Sequence, residues 1–268
     1  EVYIKVQDHG RDYILDEGNF PFKIKGSVTV SEPHLNEVVK VSDTGESESK
    51  AIIWDLSGNV TGTAAIRLSK DGGTGYDTLL TSGTVDITTK SYAWPVLPGH
   101  MGLDNKIKVA LDGDEDLVTG TAGASAKFYV KSQIKLIYPN AVGIINPSTG
   151  LPYKIDDVMT ITWNAIPNDL GGSGEVNIRY SINGATGPYN GTIATDILSS
   201  LETKNWTIPD SRGLVCQNVR VKVYKNTDET DVHSESGFDF SIKGTLVLTR
   251  PSASSGSGLT WESGVQES

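Results

Sequence analysis

Sulfur is nearly missing from this chain, which has one cysteine, Cys216, and two methionines in 268 residues. A lone thiol builds no intrachain disulfide framework. It fits the cytosol, and it fits equally an exported bacterial protein that avoids cysteine. No apolar run approaches the length of a membrane span, so no membrane insertion is expected in this segment. There is no initiator Met, no basic n-region and no signal peptide. Glu1 opens directly into the strand-like run Val2-Tyr3-Ile4-Lys5-Val6, so the sequence reads as a piece of something longer. Basic residues are the minority, 23 against 33 acidic ones, and the net charge of −10 argues against nucleic acid and anionic membrane surfaces as partners. Such a surface keeps large assemblies soluble and concentrates divalent cations.

What the chain does have is repetition. The run Phe22-Lys23-Ile24-Lys25 returns as Phe128-Tyr129-Val130-Lys131 and again as Phe240-Ser241-Ile242-Lys243. Each is followed by a strand-like run closed by Pro33, Pro139 and Pro251, 106 and then 112 residues apart. A period that long is a whole small domain, not a solenoid unit. The expected division is 1–26, the end of a preceding unit; 27–131 and 132–243, two complete units; and 244–268, the start of a following one. Each complete unit is large enough to bury a core without disulfides or metal.

Strand signals dominate. Apolar and polar residues alternate in Ile107-Lys108-Val109-Ala110-Leu111 and in Val219-Arg220-Val221-Lys222-Val223-Tyr224. The nearest approach to a helix, Asp196 to Lys204, is short and corresponds to Asp86 to Lys90. The units align feature by feature: Ala51-Ile52-Ile53-Trp54 with Thr160-Ile161-Thr162-Trp163, Ala65-Ile66-Arg67-Leu68-Ser69 with Asn177-Ile178-Arg179-Tyr180-Ser181, and Tyr92-Ala93-Trp94 with Asn205-Trp206. Tyr3 to Val6 matches Lys106 to Val109, and Leu259-Thr260-Trp261 matches Leu151-Pro152-Tyr153. Joints at Lys25 to Ser27, Lys131 to Gln133 and Lys243 to Thr245 are too short for flexible tethers. The fold expected is all-β: tandem immunoglobulin-like (fibronectin-III-like) antiparallel β-sandwich domains arranged end to end.

In this order of Pro, Ile-Thr-Trp, Ile-Arg-Tyr-Ser, Trp-Thr-Ile-Pro, Val-Arg-Val and Phe-Ser-Ile, the chain resembles an immunoglobulin-like repeat of large secreted bacterial and archaeal surface proteins. It is similar also to the extracellular domain of the fungal Kre9/Knh1 cell-wall family. The resemblance implies an extracellular or cell-surface sandwich and no chemistry. The first unit departs from it, because Val30-Ser31-Glu32-Pro33 has no clear Leu-x-Tyr counterpart after it.

Candidate sites are few. Asp112, Asp114 and Asp116 place carboxylates at alternate positions of a tight turn, a pattern that suits calcium. No glutamate closes an EF-hand loop there, and a solvated hairpin tip is the simpler reading. Asn226 to Asp231 is the acidic counterpart in the second unit. Asn59 and Asn190 open glycosylation sequons, and Asn205 opens a third beside a core Trp. The tryptophans Trp54, Trp94, Trp163 and Trp206 read as core, with sugar stacking as the competing role. Gly-rich Asp71 to Tyr76 lacks the Lys-Ser/Thr of a phosphate loop and reads as a turn. Ser47-Glu48-Ser49-Lys50 matches a penicillin-interacting motif by letters alone. His9, His34, His100 and His233 are scattered without zinc spacing.

No catalytic constellation or cofactor site emerges, calcium apart. The expected role is a non-catalytic structural repeat segment: a stalk, surface-layer subunit, filament or adhesin scaffold. Its partners would be neighbouring repeats, copies of itself and surface glycans. The alternative is a carbohydrate- or protein-binding module, including one appended to an extracellular hydrolase.

Overall fold

The computed structural model describes residues 2–22, 25–42, 49–81, 84–114, 123–172 and 174–246. Among these the chain forms strands, turns and single 3-10 turns, with no α-helix and hence no helix long enough to cross a membrane. It opens on an antiparallel hairpin of β1 (Lys5–Asp8) and β2 (Arg11–Glu17), with Val2 bridged to Phe22.

The first sandwich comprises β3 (Ser27–Glu32), β4 (Val38–Lys40), β5 (Lys50–Ser57), β6 (Ala64–Ser69), β7 (Thr78–Leu79), β8 (Ser91–Trp94), β9 (Gly102–Leu111), β10 (Gly123–Ala124) and β11 (Phe128–Lys131). One sheet runs β3-β5-β8 and the other β4-β11-β9-β6-β7, with β10 beside β9. All of its pairings are antiparallel except β4 with β11. This strand order, with a first strand that crosses from one sheet to the other, is the immunoglobulin-like arrangement in its fibronectin-III-like form. Alternation along each strand explains which face is buried: in β5, Ile52 and Trp54 point inward while Ile53 is exposed.

The second sandwich repeats the plan with β12 (Gln133–Tyr138), β13 (Tyr153–Lys154), β14 (Val158–Ile166), β15 (Glu175–Ser181), β16 (Gly191–Leu198), β17 (Thr203–Thr207), β18 (Cys216–Lys225), β19 (Asp228–Glu235) and β20 (Phe240–Lys243). Its sheets run β12-β14-β17 and β13-β20-β18-β15-β16, with β19 beside β18 and β13 parallel to β20. The stretch from Asp196 to Lys204 is the end of β16, a 3-10 turn at Ser199–Leu201 and the start of β17, not a helix.

Two hydrophobic cores result. One gathers Ile52, Trp54, Ile66, Trp94 and Phe128; the other gathers Ile161, Trp163, Ile178, Trp206 and Phe240. One residue crosses over. Ile166, the last residue of β14, packs into the first core, while its neighbour Ala165 stays in the second. A strand puts successive side chains on opposite faces, so β14 ends by serving both sandwiches.

Candidate functional site

The acidic turn after β9 is built by local geometry. Leu111 and Asp114 bridge antiparallel, Asp114 N–H donates to the Leu111 carbonyl at 3.0 Å, and Gly113 takes φ of 78° between them. That φ favours glycine. Asp112 is tied through its N–H to the Thr63 carbonyl at 2.9 Å. Lys25 Nζ donates to both oxygens of Asp114, at 2.9 and 2.8 Å. Asp116 lies outside the described residues. Among the described residues no group of three or more His, Cys, Asp or Glu is placed to hold a metal ion.

The corresponding turn after β18 does the same with another lysine. Lys225 pairs with Asp228 as Leu111 does with Asp114. Lys131 Nζ, at the end of β11, donates to Asp228 at 2.7 Å and to Asp231 at 2.6 Å. Burial lowers the Lys131 ammonium pKa, the two hydrogen bonds raise it, and the net shift is upward. Asp228 is affected in the mirrored sense: burial raises it, the Lys131 bond lowers it, and it settles below its ordinary value. Lys40 lies opposite Lys131 in the parallel pair of β4 and β11. Its Nζ is buried without a hydrogen-bond partner, and burial pulls it down against the pull of Asp231 and Asp228.

Together these groups form the joint between the sandwiches, where only Ser132 separates β11 from β12. Lys225 Nζ reaches back to the Leu170 carbonyl at 2.9 Å. Gly171 has φ of 73°, and a Cβ there would stand 2.9 Å from Met101 Cε, so the loop after β14 lies close against the first sandwich. In the sequence the acidic turns read as solvated tips or metal sites, and although Lys25, Lys131 and Lys243 share one position of the repeat, nothing local pairs them with those turns.

The other candidates are placed as follows. Trp54 and Trp94 are 0 % exposed, Trp163 2 % and Trp206 5 %, so none offers a face to a sugar. Asn59 and Asn190 are exposed, on the turn after β5 and just before β16. Asn205 is exposed too, but its Oδ1 accepts from Thr160 Oγ1 at 2.9 Å. The Gly-rich stretch is a turn in which Asp71 Oδ1 accepts from the N–H groups of Thr74 and Gly75 at 3.0 and 2.9 Å. His100 is structural: its Nδ1 accepts from the Leu97 N–H at 3.0 Å and from Trp94 Nε1 at 3.3 Å. Ser47 and Glu48 of Ser47-Glu48-Ser49-Lys50 lie outside the described residues; Lys50 begins β5 and pairs with Glu37 at 2.6 Å.

No protein-family model matches the chain, and no curated protein sequence matches it. Among solved structures, the fibronectin(III)-like modules of Clostridium thermocellum CbhA are similar at 15% identity, covering 81% of this chain and 94% of that chain with a TM-score of 0.25. The N-terminal four Ig domains of Dscam1 isoform 6.9 are similar at 9% identity, over 83% of this chain and 46% of that one, with a TM-score of 0.31. Scores this low add nothing to the strand order and register, on which the immunoglobulin-like assignment of both sandwiches rests.

Proposed function

We propose that the chain is a non-catalytic structural segment of a large extracellular or cell-surface protein: a stalk, surface-layer, filament or adhesin scaffold. Its units are 27–131 and 132–243, flanked by the end of one unit, 1–26, and the start of another, 244–268. The observation that carries this reading is the joint. One residue links two sandwiches, Ile166 of the second fills the core of the first, and Lys131 is held by Asp228 and Asp231. A joint built this way transmits position along a chain, which is what a scaffold requires.

The first hairpin supports the flanking part-unit. Lys5↔Glu17, Val6↔Asp16, Gln7↔Leu15 and Asp8↔Arg11 reproduce Lys222↔Glu235, Val223↔Ser234, Tyr224↔His233 and Lys225↔Asp228, irregularity included. Val2 bridges Phe22 as Val219 pairs with Phe240. Yet Val2, Ile4 and Val6 are 37, 60 and 67 % exposed where Val219, Val221 and Val223 are 0 %. Apolar side chains exposed at the register of a buried strand are what the end of a preceding unit, 1–26, would present.

Small-angle scattering of the chain tests the scaffold reading. A compact body of this length has a radius of gyration of about 18 Å. A rod of sandwiches gives a clearly larger value that stays constant with concentration. A value at the compact limit contradicts it.

A further inference from the structure

We propose that Lys154 and Lys243, paired at the end of the second sandwich, are the receiving face for the acidic hairpin tip of a further sandwich of the same kind. The inference rests on the scaffold reading and names the surface by which its units join.

Lys40 lies opposite Lys131 in the parallel pair that ends the first sandwich, and Lys154 lies opposite Lys243 in the pair that ends the second. The first pair is covered: Asp228 and Asp231, on the tip of the next unit, hold Lys131, and the Lys40 ammonium is buried beside them. The second pair is exposed, and among the described residues no carboxylate pairs with either ammonium. Upstream the same step recurs, because Lys25 has the place of Lys131 in its own run and is held by Asp114, which has the place of Asp228. Two joints therefore use one rule: the lysine that ends a unit meets the carboxylate three residues past the end of the next unit's long strand, Asp114 after Leu111 and Asp228 after Lys225. Lys243 is the third lysine of that series, and Lys154 supplies the second charge that Lys40 supplies at the joint already formed.

Charge also selects the occupant. A second copy offering its first hairpin would present Arg11, which stands where Asp228 stands, to two lysines. A second copy offering Asp114 or Asp228 would present a carboxylate already holding a lysine. The tip that fits is an unoccupied one, with a carboxylate at the Asp228 position, on a unit that follows in the chain.

The test reads lysine acylation by peptide mass spectrometry under limiting reagent. In the chain as it stands, Lys131 is expected to react at least about fivefold more slowly than Lys154 and Lys243. Asp228→Asn with Asp231→Asn should bring Lys131 up to their rate. The chain is then prolonged by a second copy of residues 132–243 joined directly after Lys243, so that Lys243 meets the added tip as Lys131 meets the native one. Lys243 should slow to the Lys131 rate, and the two Asn changes placed in the added copy alone should restore it. Equal rates for Lys131 and Lys243 in the unaltered chain overturn the proposal. So does a Lys243 that stays fast beside an added copy whose tryptophan fluorescence shows it folded. Protected lysines in a particle that scatters as a compact body would instead count against the scaffold reading and leave the joint rule standing.

Discussion

Trp54 donates its indole N–H to the carbonyl of Ile87 at 2.8 Å, and Trp163 makes the same bond to Ser199 at 3.0 Å. In both cases the acceptor is the first residue of a 3-10 turn that leads into the third strand of the smaller sheet. Each indole thus fills its core and fixes the entry to a strand, satisfying a buried donor at the same time. Trp163→Ala should destabilise the second sandwich by roughly 3–5 kcal/mol, and Trp54→Ala the first by a similar amount. Thermal or denaturant unfolding measures both. Small losses at both positions would mean that the core closes without them.

Much of this was legible beforehand. The Ile-x-Trp strands, their aromatic cores and the turn at Asp71 follow from alternation and from glycine and aspartate chemistry. The joint was not legible. Lys131 and Asp228 are far apart in sequence, and nothing local in either run says they meet. Ile166 likewise obeys the alternation of its own strand. Which sandwich its outward face enters depends on how the two units sit together.

The Lys131 ion pairs give stability with two pH limits. Lys131 has a raised pKa, so its contribution is full below the ordinary 10.5 and is lost as pH rises through its folded value. Asp228 has a lowered pKa, so its contribution is full above the ordinary 3.8 and is lost as pH falls through its folded value. Lys131→Met should cost about 1–2 kcal/mol at neutral pH. It should also flatten the loss of melting temperature at the acid end. An acid limb identical to that of the unaltered chain would remove the pair from the account.

His100 supplies a further pH dependence, on the acid side of 6.5. Burial first, and then the charge of Lys70, hold its pKa below 6.5. Protonating Nδ1 would break its bonds to Leu97 and Trp94. Stability should therefore be full above pH 6.5 and fall as pH drops through the lowered folded value. His100→Asn keeps an acceptor near Nδ1 and should erase that fall. A melting curve with the same pH response in the variant would refute this assignment.

Calcium at Asp112, Asp114 and Asp116 would have to compete with Lys25, whose ammonium engages both oxygens of Asp114. The expected result is a melting temperature that does not differ between millimolar calcium and chelator. A calcium-dependent rise that disappears in Asp114→Asn would place the cation there instead.

The central claim is that the two sandwiches hold one orientation through Ile166, Lys131 and the tip carboxylates. Residual dipolar couplings of backbone amides measure this directly. A single alignment tensor should fit both 27–131 and 132–243 at neutral pH. Charge reversal by Lys131→Glu should split it into two, and adding Asp228→Lys should draw the two back together. Two unrelated tensors in the unaltered chain would contradict the account.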